Sequence, residues 1–187
     1  MKSHAIYHHL ERLSELLRVD ARQAGLELGL QPVQLEAMHY LSMCNAFSDT
    51  PMAVAEYLGQ TKGTVSQTLK VLEKKELLVK QPDANDKRVF HLKLTKKGGS
   101  VLQQLVPTAM VMQACENLSP KEQEVVEQAL QCLLSSFLST NKMKSFGVCR
   151  SCRYNRHLNG SDYFCDLVQQ PLLESDTQLI CREHEAS

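Results

Sequence analysis

Residues 51–95 read PMAVAEYLGQTKGTVSQTLKVLEKKELLVKQPDANDKRVFHLKLT, and the order of apolar and polar positions along them decides the fold. Pro51 suits the first turn of a helix running to Leu58, where a missing N–H breaks no hydrogen bond. Gly59-Gln60-Thr61-Lys62 then makes a tight turn. From about Gly63 to Lys75, Val65, Leu69 and Leu72 recur at helical spacing and share one face, leaving Lys62, Thr64, Ser66, Gln67 and Lys70 to the other. Leu77–Lys80 and Val89–Thr95 are β-prone runs joined by a polar turn, Gln81 to Arg88, that ends in Lys87 and Arg88. Helix, turn, helix and charged hairpin in that order describe a winged helix-turn-helix. In that motif the second helix enters the major groove of DNA and the hairpin tip meets backbone or minor groove.

The flanks extend this unit. Upstream, Leu10, Leu13, Leu16 and Leu17 line one face of a helix over Ile6–Gly25, and Pro32 opens a helix bearing Val33, Leu35, Met38 and Leu41 before the polar break Asn45–Thr50. Downstream, the pattern predicts two long amphipathic helices, Gly98–Leu118 and Ser119–Thr140. In the second, Ser119 is the cap and Pro120 the first helical residue. Their stripes (Leu102, Leu105, Val106 and Met110; Val125, Val126, Leu130, Leu133, Leu134 and Phe137) exceed what one small core can cover, which points to a homodimer. The expected fold is mainly α with a small β-hairpin wing. A winged helix-turn-helix with dimerisation helices occupies residues 1–145, and a short metal-stapled tail occupies residues 146–187.

Composition agrees. With 187 residues, 43% hydrophobic and 22% charged, the chain can bury a core and is neither collagen-like nor disordered. No apolar run approaches the roughly 20 residues of a membrane span, and the Met1 end has no signal-peptide pattern, so a cytoplasmic protein without a membrane partner is expected. Lys plus Arg balance Asp plus Glu at 21 each, but residues 51–98 carry ten bases against five acids. A basic stretch confined to about a quarter of an otherwise acidic chain is the footprint of a phosphate-binding face.

Four stretches carry a resemblance to the MarR family of transcription regulators: Pro51-Met52-Ala53-Val54-Ala55-Glu56-Tyr57-Leu58, Thr61 through Gln67, Leu72 through Leu78, and Asp86-Lys87-Arg88-Val89 through Leu94-Thr95. The wing, with Asp-Lys-Arg before a strand and Leu-Thr after it, is the most specific. The likeness spans about residues 4–140. It implies a dimer on double-stranded DNA and a small-molecule effector between the dimer helices and the winged helix. It also implies recognition-helix contacts from Thr61, Lys62, Thr64, Ser66 and Gln67, and wing contacts from Lys87 and Arg88. The side-chain types suit those places. Gln67 can pair with a base edge, and Thr64 and Ser66 can reach phosphates or thymine. Lys62 and Lys70 are phosphate contacts by type. Arg88 suits a narrow minor groove, or an ion pair with Asp86 two residues before it.

The tail departs from that family. Of seven cysteines, four fall in Cys149-x2-Cys152-x12-Cys165-x15-Cys181-x2-His184. A C-x2-C turn can hold two thiolates on one centre, and a segment of about 40 residues rarely folds on hydrophobic burial alone. Two ligand sets fit the spacing: Cys149, Cys152, Cys165 and Cys181, or three of these cysteines with His184. Zn2+ is the ordinary occupant of such a site; an iron–sulfur cluster on four thiolates and a metal-free thiol switch are the alternatives. Cys44, Cys115 and Cys132 read as buried structural cysteines in helices. A dithiol oxidoreductase at Cys149–Cys152 would need a βαβ context that is missing. The expectation is therefore not an enzyme; a metal-stapled protein-interaction module is the competing reading of the tail.

Overall fold

The computed structural model describes residues 2–84, 86–160 and 162–186. Its N-terminal part runs α1 (Lys2–Leu26), α2 (Pro32–Met43), α3 (Pro51–Tyr57), α4 (Lys62–Lys74), β1 (Leu78–Pro82), β2 (Phe90–Leu94) and α5 (Lys96–Leu105). After it come α6 (Ala109–Glu116), α7 (Pro120–Thr140), β3 (Asn155–His157), β4 (Tyr163–Cys165), β5 (Gln170–Leu172) and α8 (Glu174–Thr177).

Helix starts are set locally. The hydroxyls of Thr50, Thr61, Thr95, Thr108 and Ser119 each accept the N–H three residues on, satisfying donors that have no partner inside the helix. At α7 the Glu122 carboxylate also accepts the Ser119 N–H, which closes a reciprocal capping box with the Ser119 hydroxyl. β1 and β2 form the wing as an antiparallel pair with Leu78 opposite Leu94. Apolar side chains from every winged-helix element meet in one core: Leu35, Met38 and Tyr40 of α2, Val54 of α3, Val65, Leu69 and Leu72 of α4, and Leu92 of the wing. Gly98 lets α5 lie directly on the chain before β1, since a Cβ there would come within 2.0 Å of the Leu77 carbonyl oxygen.

Three expectations are corrected. The single helix over Gly98–Leu118 is two helices, because Pro107 between α5 and α6 has no N–H to give and its ring crowds the preceding turn. Of the three helix cysteines, Cys115 in α6 and Cys132 in α7 are exposed rather than buried, while Cys44 is buried as expected. The apolar core also runs past residue 145: Phe146 is buried in it, edge-on to the rings of Tyr40 and Tyr57.

The tail is laced to the α2–α3 loop. The Asn45 N–H donates to the Ile180 carbonyl (3.0 Å), the Ile180 N–H to the Met43 carbonyl (2.9 Å) and the Arg182 N–H to the Ser48 hydroxyl (2.8 Å). A three-stranded antiparallel sheet, β3-β4-β5, folds over the remainder.

Candidate nucleic-acid interface and cysteine cluster

Helix α4 divides as its sequence demands. Val65, Thr68, Leu69 and Leu72 are buried, while Thr61, Lys62, Thr64, Ser66, Gln67 and Lys70 are exposed. Thr61 is engaged as the cap, and its hydroxyl lies 3.0 Å from that of Thr64. Ser66 and Gln67 follow one turn further along the exposed face. Between the start of α3, α4 and the wing lies a concave cleft of about 610 Å³ that brings Lys62, Ser66, Lys80 and Arg88 together. Lys80 was not among the residues singled out from the sequence. Its signal is strand alternation, because it stands two residues after buried Leu78 and so shares the inward face, at the point where that face opens to the cleft.

At the wing tip Lys87 is exposed, and Arg88 donates from Nε and Nη2 to the two carboxylate oxygens of Asp86 at 2.9 and 2.8 Å. The side-chain hydrogen bond from Arg88, and then that from its backbone N–H, hold the Asp86 carboxyl below its usual range. With the Arg88 side chain 90% exposed, the pair orients the guanidinium and adds little stability. At the wing root, buried Asp49 pairs with His91 Nδ1 and, at 2.7 Å, with Lys93 Nζ, and its carbonyl accepts the Leu92 N–H. His91 Nε2 reaches Asp83 at 3.1 Å. The hydrogen bond from Asp49 first, then that from Asp83, raises the His91 pKa against the opposing effect of burial. The sequence assigned His91 no role; its partner Asp49 is 42 residues away, and no local pattern announces the pair.

A second cleft, about 630 Å³, lies where α1 and α2 meet the α5–α6 corner, with Leu17, Arg18, Asp20, Leu35, His39 and Pro107 on its walls. Burial lowers the pKa of His39 there.

The tail gathers Cys149, Cys152, Cys165 and Cys181 around one small hollow of about 20 Å³, together with Asn45, Asn155 and apolar side chains. All four thiols are free. Burial, then the neighbouring Cys181, Cys152 and Cys165, pushes the Cys149 thiol up to about 11. Asn155 Nδ2 donates to the Cys149 carbonyl at 3.0 Å and stands 3.6 Å from its Sγ. His184 is not brought to these cysteines: its Nδ1 is 2.7 Å from the Ser145 hydroxyl, its Nε2 3.0 Å from that of Ser151, and its ring lies over Gly147. Among the described residues, no three His, Cys, Asp or Glu side chains converge closely enough to hold a single metal ion.

The MarR family model matches residues 28–89, which span α2 to the wing. Over those residues the chain is similar to the MarR family. The chain is 25% identical over 141 residues to the transcriptional repressor MprA of Escherichia coli (strain K12), covering 74% of each protein. It is 26% identical to MepR in the S. aureus MepR–DNA complex, with a TM-score of 0.58 over 70% of this chain and 96% of that one. A MarR transcriptional regulator from Methanosarcina mazei Go1, at 15% identity and a TM-score of 0.64, shares the fold over 73% of this chain and 99% of its own. In all three the shared part leaves at least a quarter of this chain uncovered. No helix among the described residues is long and apolar enough to cross a membrane.

Proposed function

We propose that the protein is a sequence-specific DNA-binding transcriptional regulator of MarR type, a cytoplasmic repressor that binds a near-palindromic operator as a homodimer and acts by binding, not catalysis. The carrying observation is the exposed polar face of α4 beside a concave cleft that collects Lys62, Lys80 and Arg88. A helix of this kind fits the major groove, and the cations meet phosphates on either side. Gln67 reads a base edge, Thr61, Thr64 and Ser66 approach phosphates or thymine, Lys62 and Lys70 neutralise the backbone, and Lys87 and Arg88 reach it from the wing. MepR bound to DNA and MprA described as a repressor support this reading by similarity.

Dimerisation rests on the outer stripe of α7, where Val125, Leu130, Leu134 and Phe137 are each at least half exposed in the single chain. The cleft between α1, α2 and the α5–α6 corner suits a small, partly apolar effector. The four-cysteine tail is a metal centre, of zinc or of iron and sulfur, that braces the fold or reports metal or redox status. Footprinting on the promoter beside the protein's own gene tests the regulator. Protection of two half-sites about one helical turn apart is expected, and uniform, sequence-independent retardation would refute it.

A further inference from the structure

We propose that the cleft between α1, α2 and the α5–α6 corner binds a small organic cation, an apolar or aromatic body carrying an ammonium group, and that Asp20 of α1 is the carboxylate that selects it. The proposal rests on the reading of this cleft as an effector site and goes further by naming the charge class of the ligand and the residue that sets it. At about 630 Å³ the cleft has room for a drug-sized molecule, and Leu17, Leu35, Leu105 and Val111 give it aliphatic walls. Such walls take the body of the ligand and keep water from the charges beside them. An ionised group there therefore acts more strongly than it would in open solvent.

That group is Asp20. It lines the cleft, its Oδ2 is enclosed, and no hydrogen bond from a described residue reaches that oxygen. A carboxylate oxygen withdrawn from water without a donor is costly, and an ammonium beside it offsets that cost through a charge-assisted hydrogen bond. Glu36, the other acid of the cleft, is exposed, and among the described residues neither it nor Asp20 has an ion-pair partner.

The basic side chains of the cleft do not supply the missing charge. Arg18 turns to Glu15, one turn back on α1, donating from Nε to Oε2 at 3.2 Å and from Nη2 to Oε1 at 2.8 Å. His39 is half-buried, and burial lowers its pKa from the ordinary imidazole value, so it carries no charge at neutral pH. What stays uncompensated on the walls is negative. An anion would face Asp20 and Glu36 with Arg18 engaged elsewhere, and a neutral ligand would leave the Asp20 charge unmatched.

Equilibrium dialysis of the full-length chain against three probes that share one naphthyl body tests the proposal: naphthylethylammonium, naphthylethanol and naphthylacetate. The cation is expected to bind roughly tenfold or more tighter than the alcohol, the order that a hydrogen bond to a charged group supplies, and the acetate is expected to bind weakest. Asp20→Asn, nearly the same shape, should bring the cation to the level of the alcohol and leave the alcohol unchanged. Asp20→Glu should keep the preference for the cation, and Arg18→Ala should leave cation binding in place. Circular dichroism checks that each variant is folded. Equal binding of cation and alcohol would overturn the charge class and leave an effector cleft indifferent to charge. Acetate bound tightest, with that advantage lost in Arg18→Ala, would overturn it in favour of an anion site. A cation preference untouched in folded Asp20→Asn would overturn the assignment to Asp20. Binding of none of the three would overturn the cation and the effector reading together.

Discussion

The guanidinium of Arg182 holds the carboxylate of Glu56 through two hydrogen bonds of 2.7 Å, from Nε to Oε2 and from Nη2 to Oε1, across 126 residues of chain. This pair joins the tail to α3, the first helix of the DNA-reading motif, and holds the Glu56 carboxyl below its ordinary range. Both side chains are partly exposed, so the pair contributes no more than about 1 kcal/mol. Arg182→Ala and Glu56→Gln are each expected to lower stability by that order in urea denaturation. The double variant should cost little more than either single one. Faster tryptic cleavage within residues 146–187 in either variant is the companion readout, because the docked tail loses one of its clasps.

On DNA, cation and amide separate. Lys62→Ala is expected to weaken operator and random DNA alike and to lower the salt slope by about one unit. Gln67→Ala should cost about 1–3 kcal/mol at one operator position and relax the preference there. Titrations at several salt concentrations, on operator and scrambled duplexes, distinguish the two. Equal losses on both duplexes for Gln67→Ala would remove it from base reading.

His91 makes the wing root pH-sensitive. Its pKa is raised in the folded chain by Asp49 and then Asp83, with Lys93 sharing the Asp49 carboxylate. Protonated His91 therefore stabilises the fold. That contribution is complete below the ordinary imidazole value of about 6.5 and is lost as pH rises through the raised folded value. Urea midpoints across this range should fall with rising pH in wild type and stay flatter in His91→Gln; parallel curves would show that the clasp carries no such linkage.

The outer stripe of α7 is expected to be covered by a second chain. Leu134, 59% exposed in the single chain, would recover about 1.5–3 kcal/mol on burial there. Leu134→Glu should thus convert a dimer into a monomer by sedimentation at micromolar concentration. Wild-type protein that already sediments as a monomer would end the dimer proposal.

The winged helix was legible in the sequence because each of its cues is local. Val65, Leu69 and Leu72 recur at helical spacing, Thr50 and Thr61 stand at cap positions, and the polar turn before Val89 separates two β-prone runs. Such signals survive without knowledge of distant partners, and they sorted Lys62, Ser66, Gln67 and Lys70 onto the exposed face that the structure shows. Apolar periodicity alone carries a helix through Pro107, but the missing N–H and the ring of that proline outweigh it, and α5 and α6 part there.

What the tertiary structure alone decided concerns residues far apart in the chain. The spacing of Cys149, Cys152, Cys165, Cys181 and His184 allowed two ligand sets. Folding brings the four cysteines to one hollow and leaves His184 between Ser145 and Ser151. Asn45, Lys80 and His91 gain their places from contacts across the helix-turn-helix, the wing and the tail, and periodicity within a single element carries no record of such contacts. The sequence by itself determined which faces are apolar and which are polar, since that depends on residue type and local period. Which of those faces meet depended on packing the tail against the α2–α3 loop, where burial and hydrogen bonding between distant segments are satisfied together.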